Sequence, residues 1–241
     1  MNTNHWQIGK MPLIHYRSNF SGKWSHGDNL TNFEKNPNKD FWNDIDISYV
    51  YNKQGFRCPD FEQFLGKKVN LALGCSFTEG IGLPIDRAWP GLIEKKLEYP
   101  LLNLGLAGGS ADTVARILTN SSTLFDIQTV FILWPMTNRF ELYHIDINMS
   151  QAIDQILPGR SKIEHTWALE EEMCTQRYYK NHLLVNQLAN NYDFRVKQFT
   201  LLETIEKCRP DPKFQDADRA RDGMHWGFRT HELVSEMFLN A

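Results

Sequence analysis

From Lys67 onward the chain repeats one pattern: a short apolar run, a turn, then a longer stretch with helical spacing. The apolar runs cover 69–73, 101–106, 129–133 and 195–201, and the helical stretches cover 87–98, 110–124, 163–190 and 230–239. Trp89, Leu92 and Ile93 share one face of the first helix. Ser110 stands as an N-cap ahead of Val114, Ile117 and Leu118 in the second. In the third, Trp167, Cys174, Tyr178, Val185 and Ala189 form an apolar stripe. The run 129–133 is β-branched and apolar, as in a strand covered on both faces. Strands alternating with helices pair in parallel and carry helices on both sides. The expected fold class is therefore α/β: three α/β/α layers on a mostly parallel central sheet.

Residues 1–66 have another texture, rich in Asn, Lys and aromatics from Trp6 to Phe56. The stretch 45–51 alternates apolar and polar residues at first, which predicts a strand, and 52–55 reads as a turn. So short a segment buries too little apolar surface to stand alone, yet its aromatics are costly to leave in water. Residues 1–66 are thus expected to pack on the body formed by 67–241 and to border its cleft. A platform or lid for substrate is the sharper alternative.

A chain of 241 residues with 41% hydrophobic and 23% charged content fits a soluble globular protein of one domain. A net charge of −3 argues against a nucleic-acid partner. No apolar run approaches the roughly 20 residues that span a bilayer, and the first residues lack the basic and apolar regions of a signal peptide. Four scattered cysteines without a Cys-x-x-Cys pair point to a reduced, cytoplasmic protein.

The chemistry gathers at turns. Gly74-Cys75-Ser76 follows the first strand, and a serine on a strand-to-helix turn projects its hydroxyl over the C-terminal edge of the sheet. A hydroxyl needs a base to become a nucleophile. His225 can supply it, oriented by Asp222 in Asp222-Gly223-Met224-His225. Cys75 alternates with Ser76 and is expected to face the packing as a small hydrophobe. Glu79 and Arg139 border the same turns without a defined role. His, Cys and carboxylates are not at metal-ligand spacing, so neither metal nor other cofactor is expected.

These segments resemble the SGNH, or GDSL-like, hydrolases. The first family block is usually Gly-Asp-Ser, and Gly74-Cys75-Ser76 is a variant of it. Asn103-Leu104-Gly105-Leu106-Ala107-Gly108 matches the second block, and Asp222 to His225 the last. The third block, Gly-x-Asn-Asp, has lost its glycine in Pro135-Met136-Thr137-Asn138. Asn138 is the candidate for the family asparagine, and an ungapped alignment places Thr137 there instead. The resemblance covers roughly 67–241. It implies an SGNH-type, flavodoxin-like fold and a metal-independent triad of Ser76, His225 and Asp222. It also implies an oxyanion hole from the Ser76 and Gly108 amides and the Asn138 side chain, with Gly109 a rival to Gly108. The implied substrate is a carboxylic ester on a small molecule or glycan, such as a sugar acetyl or short acyl group. An O-acyltransferase would use the same residues. A non-catalytic binding or structural protein on this fold is the rival class.

Overall fold

A computed structural model describes residues 7–8, 11–12, 17–25, 27–145, 151–156, 171–208 and 218–241. The N-terminal part holds only short elements: β1 (Gln7–Ile8), β2 (Met11–Pro12), β3 (Ser21–Gly22), α1 (Leu30–Lys35), α2 (Lys39–Trp42) and β4 (Tyr49–Val50). The body then runs β5 (Lys68–Gly74), α3 (Ser76–Glu79), α4 (Trp89–Glu94), β6 (Leu101–Asn103), α5 (Ala111–Ser121) and β7 (Asp126–Trp134). A hairpin follows, β8 (Phe140–Ile145) with β9 (Gln151–Ile156), then α6 (Glu171–Tyr192), β10 (Arg195–Thr200), α7 (Leu201–Cys208) and α8 (Phe228–Asn240).

The central sheet has the order β10-β7-β5-β6, every pair parallel. From β5 the chain crosses to β6 on one side, and from β6 it crosses through α5 to β7 on the other. The strand order therefore reverses next to β5, and open α/β sheets bind ligands beyond the strand ends at such a switch point. Side-chain alternation sorts β5 into two faces. Val69, Leu71 and Leu73 pack with α5, α6 and Phe56, Phe61 and Phe125. Ala72 and Cys75 pack with Trp89 and Ile93 of α4 and with Val234 and Phe238 of α8. These are the three α/β/α layers. In β7 the register slips by one residue between the pairs Val69–Ile127 and Asn70–Thr129. The extra residue lets Ile127 join Val130, Ile132 and Trp134 on one face, while Phe131 and Leu133 take the other.

Several elements differ from the sequence expectation for physical reasons. The helix expected over 87–98 spans only Trp89–Glu94. Its end tightens into i→i+3 bonds, Lys96 N to Ile93 O and Leu97 N to Glu94 O, so that the chain can turn into β6. The strand expected to reach Leu106 stops at Asn103, yet Leu104 N and Leu106 N still donate to Ala72 O and Gly74 O of β5. Along 45–51 the alternation is real, since Ile47, Tyr49 and Tyr51 are buried, but only Tyr49–Val50 is paired as strand. Ser110 caps α5 in a reciprocal box with Thr113. Trp167 lies outside the described residues.

Residues 17–57 lie against the body. Trp42, Ile47, Tyr49 and Tyr51 form a buried cluster with Ile81, Leu83 and Ala220, while Phe56 and Phe61 enter the main core. No helix among the described residues is long and apolar enough to cross a membrane.

His231 of α8 is fully buried, and its Nδ1 accepts the Trp89 N–H at 2.9 Å. That amide opens α4, where a helix leaves its N–H groups without internal partners. Burial, aided by the charge of His225, pushes the His231 pKa down to about 3. The folded state therefore prefers the neutral ring. The stability this contributes is whole above the ordinary histidine range and is lost as pH falls from about 6.5 toward 3. Denaturant titrations at pH 7, 6, 5 and 4 should show stability falling by up to about 1.4 kcal/mol per pH unit in that window. His231→Asn should be less stable at pH 7 and show a shallower slope; an equal slope would remove His231 as the cause.

Candidate active site

Ser76 opens α3 directly after β5, at the C-terminal edge of the sheet. The turn that puts it there needs glycine at position 74. Gly74 has φ +154°, and a Cβ on it would meet Leu133 O at 2.6 Å and Thr78 Oγ1 at 2.2 Å. The second turn, after β6, presses on the first. A Cβ on Gly105 would sit 2.4 Å from Glu79 N and 2.7 Å from the Thr78 carbonyl carbon. Asn103 fastens the two turns: its Nδ2 donates to Thr78 O at 2.9 Å, and its Oδ1 accepts Gly105 N–H at 3.0 Å. Gly108 lies in the second turn with φ +79°. Among the described residues, the amide N–H groups of Ser76 and Gly108 have no hydrogen-bond partner. Two unspent donors thus sit on neighbouring turns.

The loop before α8 carries the other pair. Asp222 Oδ2 and His225 Nδ1 are 2.5 Å apart, and Asp222 Oδ1 accepts the backbone N–H of Met224 and of His225, each at 3.0 Å. Burial alone would raise the Asp222 pKa. The hydrogen bond and charge of His225, with the two amides, outweigh it and hold the carboxyl below its ordinary value. Asp222 is therefore a carboxylate, and the imidazole donates Nδ1–H to it. Nε2 is then the nitrogen left to accept a proton. The His225 ring packs edge-on against Phe77, the residue after Ser76, with centroids 5.1 Å apart. Among the described residues no hydrogen bond joins the Ser76 hydroxyl to His225; they are neighbours through Phe77. Cys75 faces away, fully buried between the sheet and α4 and α8.

Asn138 sits half-buried in the turn between β7 and β8, with Thr137 exposed beside it. No hydrogen bond ties either to Ser76, Gly108, Asp222 or His225 among the described residues. Gly109, the rival donor, spends its N–H on Leu106 O at 2.8 Å. Among the described residues no three His, Cys, Asp or Glu side chains group as metal ligands.

Sequence reasoning missed what fastens the site. Arg221, next to Asp222, is buried and holds Asp28 with Nη2 at 2.7 Å from Oδ2 and Nε at 3.1 Å from Oδ1. Tyr49 donates to the same carboxylate at 2.6 Å and accepts Gly82 N–H at 2.7 Å. Asn36 Nδ2 donates to Ala220 O and Arg221 O. Arg57 donates to four carbonyls, those of Ser48, Glu79, Gly80 and Leu83, and so gathers the end of α3. Glu79 is buried at the last position of α3. The adjacency of Arg221 to Asp222, and of Glu79 to the Ser76 turn, was the only signal in sequence; nothing local names their partners.

No family model matches the chain, and no curated protein matches it. Among solved structures it is similar to the psychrotrophic esterase EstA from Pseudoalteromonas sp., at 11% identity and TM-score 0.38 over 71% of this chain and 94% of that one. It is similar to TesA at 13% identity and TM-score 0.39, over 71% and 96%. A two-domain esterase active on acetylated mannans aligns at 15% identity and TM-score 0.37, over 73% of this chain and 48% of that one.

Removing the Asp28 carboxylate leaves the Arg221 charge buried without its partner. Asp28→Ala should cost about 3–5 kcal/mol in denaturant unfolding, the range for breaking a buried pair. A loss under about 1 kcal/mol, the range of an exposed pair, would show that the pair does not hold the loop.

Proposed function

We propose that the chain is a serine ester hydrolase of the SGNH type. Ser76 attacks the carbonyl carbon of a carboxylic ester while His225 Nε2 takes the hydroxyl proton. Asp222 fixes the ring and balances the imidazolium that forms. The developing oxyanion is met by the Ser76 and Gly108 amides, with the Asn138 side chain as third donor. His225 then returns the proton to the leaving alcohol, and water repeats the sequence to release the acid.

The observation that carries this reading is the Asp222–His225 pair. A carboxylate held ionised in a buried loop, bonded to a ring whose other nitrogen is unspent, is costly to build for packing alone. It lies beside the residue following Ser76, at the switch point of the sheet, with two amides unspent. A simple acyl ester, such as a sugar acetate or a short acyl ester, is the proposed substrate.

Wild type should hydrolyse an aryl acetate and be labelled at Ser76 by a fluorophosphonate. Ser76→Ala should remain folded, lose labelling and lose activity on the order of 10⁶-fold in kcat. Cys75→Ala should keep most of its activity. A folded wild type that neither labels nor hydrolyses would instead assign the chain to the non-catalytic class. An active Ser76→Ala with an inactive Cys75→Ala would move the nucleophile to the thiol.

A further inference from the structure

We propose that Glu79 is a positioning residue that sets the direction of the Gly108 amide; this rests on the serine hydrolase reading above. Glu79 closes α3, three residues after Ser76, and its side chain is about 1% exposed. Its Oε2 leaves its own helix and accepts the N–H of Ala107 at 2.6 Å. Ala107 immediately precedes Gly108, whose N–H is the unspent donor of the second turn. The Ala107 N–H belongs to the peptide unit just before the one that carries the Gly108 N–H, so Glu79 anchors the first arm of the 106–109 turn, which Gly109 N–H closes on Leu106 O at 2.8 Å. The φ of +79° at Gly108 suits the third position of that turn, and the bond from Ala107 to Glu79 ties the turn to the end of α3.

The other oxygen of Glu79 faces the N-terminal segment. Oε1 accepts from Arg17 Nη1 at 3.1 Å and from the Tyr51 hydroxyl. Arg17 Nη1 also donates to Tyr51 at 2.5 Å and to Ser25. Burial, with the neighbouring Glu79 charge, raises the Tyr51 pKa, so the phenol stays a donor. A buried carboxylate is tolerable only when its lone pairs are met, and here each oxygen is. The arrangement converts the packing of residues 17–51 into a fixed position for one amide in the site. Preorganised donors matter because they need no rearrangement when charge develops on the substrate oxygen.

Two conservative substitutions separate this role from a merely structural ion pair. Glu79→Gln keeps the reach and an oxygen for Ala107 N–H but removes the charge that faces Arg17. Glu79→Asp keeps the charge and withdraws the carboxylate by one methylene from Ala107. Kinetics on an aryl acetate, inhibition by an aryl boronic acid that forms a tetrahedral serine adduct, and thermal melting are measured for each. Positioning predicts that Glu79→Asp loses kcat on the order of 10²-fold with KM little changed, and that boronate affinity falls in step. Glu79→Gln should stay within about ten-fold of wild type, one hydrogen bond's worth. The reverse order, with Glu79→Asp active and Glu79→Gln impaired, would make Glu79 an ion-pair residue and overturn the proposal. Losses that follow the melting temperature, or that fall on KM alone, would overturn it as well. If Glu79→Asp does not fold, Glu79→Gln decides: it must keep kcat within ten-fold despite a lower melting temperature. A wild type that neither hydrolyses nor labels at Ser76 overturns the underlying reading, while an active wild type with a fully active Glu79→Asp overturns the role of Glu79 alone.

Discussion

Arg221 and Asp28 lie 193 residues apart in the chain and both are buried, so neither charge is tolerable without the other. Their meeting fixes the loop of Asp222 and His225 against the N-terminal segment before any chemistry is considered. The loop has other ties: Arg221 N to Gly82 O, Ala220 N to His225 O, and Asn36 to two carbonyls. Those are ordinary neutral hydrogen bonds worth about 1 kcal/mol each. Breaking the ion pair costs several times more and is a large part of the roughly 5–15 kcal/mol that a domain holds in reserve. The described N-terminal residues are therefore part of what holds the Asp222–His225 loop in place.

Charged side chains of the segment tie several turns of the site. Asp28 takes the Arg221 loop, Arg57 takes the carbonyl end of α3, and Arg17 with Tyr51 takes Glu79, which reaches the Gly108 turn. The polar ties are backed by apolar packing of Trp42, Ile47 and Tyr49 against Ile81, Leu83 and Ala220. Contact between the Ser76 turn and the second turn is closer still and depends on backbone lying on backbone at Gly105. A site assembled from three loops needs ties of this kind to keep them in register.

How much of this the sequence discloses depends on the range of the interaction. Strand alternation and the Ser110 cap are local and were legible, as were Cys174 and Val185 of the α6 stripe, which are buried, while Tyr178 and Ala189 are half-buried. Of Trp89, Leu92 and Ile93, expected on one face, Trp89 and Ile93 are buried and Leu92 half-buried, but the helix they sit on ends four residues early. Its end is set by the distance to β6, which no propensity encodes. Asp222 and His225 are three residues apart, so their pairing was visible. Asp28 with Arg221, Glu79 with Ala107, and Arg17 with Tyr51 join distant segments. Each member reads in isolation as an ordinary surface charge or loop aromatic. The β8–β9 hairpin also went unread, because its strands do not alternate cleanly between polar and apolar residues.

Positions 75 and 76 show how packing and chemistry divide adjacent residues. The Cys75 side chain is fully buried in a cluster with Ala72, Trp89, Phe131, Val234 and Phe238. The resembled first block carries aspartate there, and a carboxylate in this apolar cluster would bear the cost of burial. A thiol suits the space because it behaves as a small hydrophobe. Ser76, one residue on, opens α3, and the next residue, Phe77, packs against His225. The departure from Gly-Asp-Ser is thus a change at a packed position of the turn, while Gly74 and Gly105 hold the places where a Cβ would meet backbone atoms.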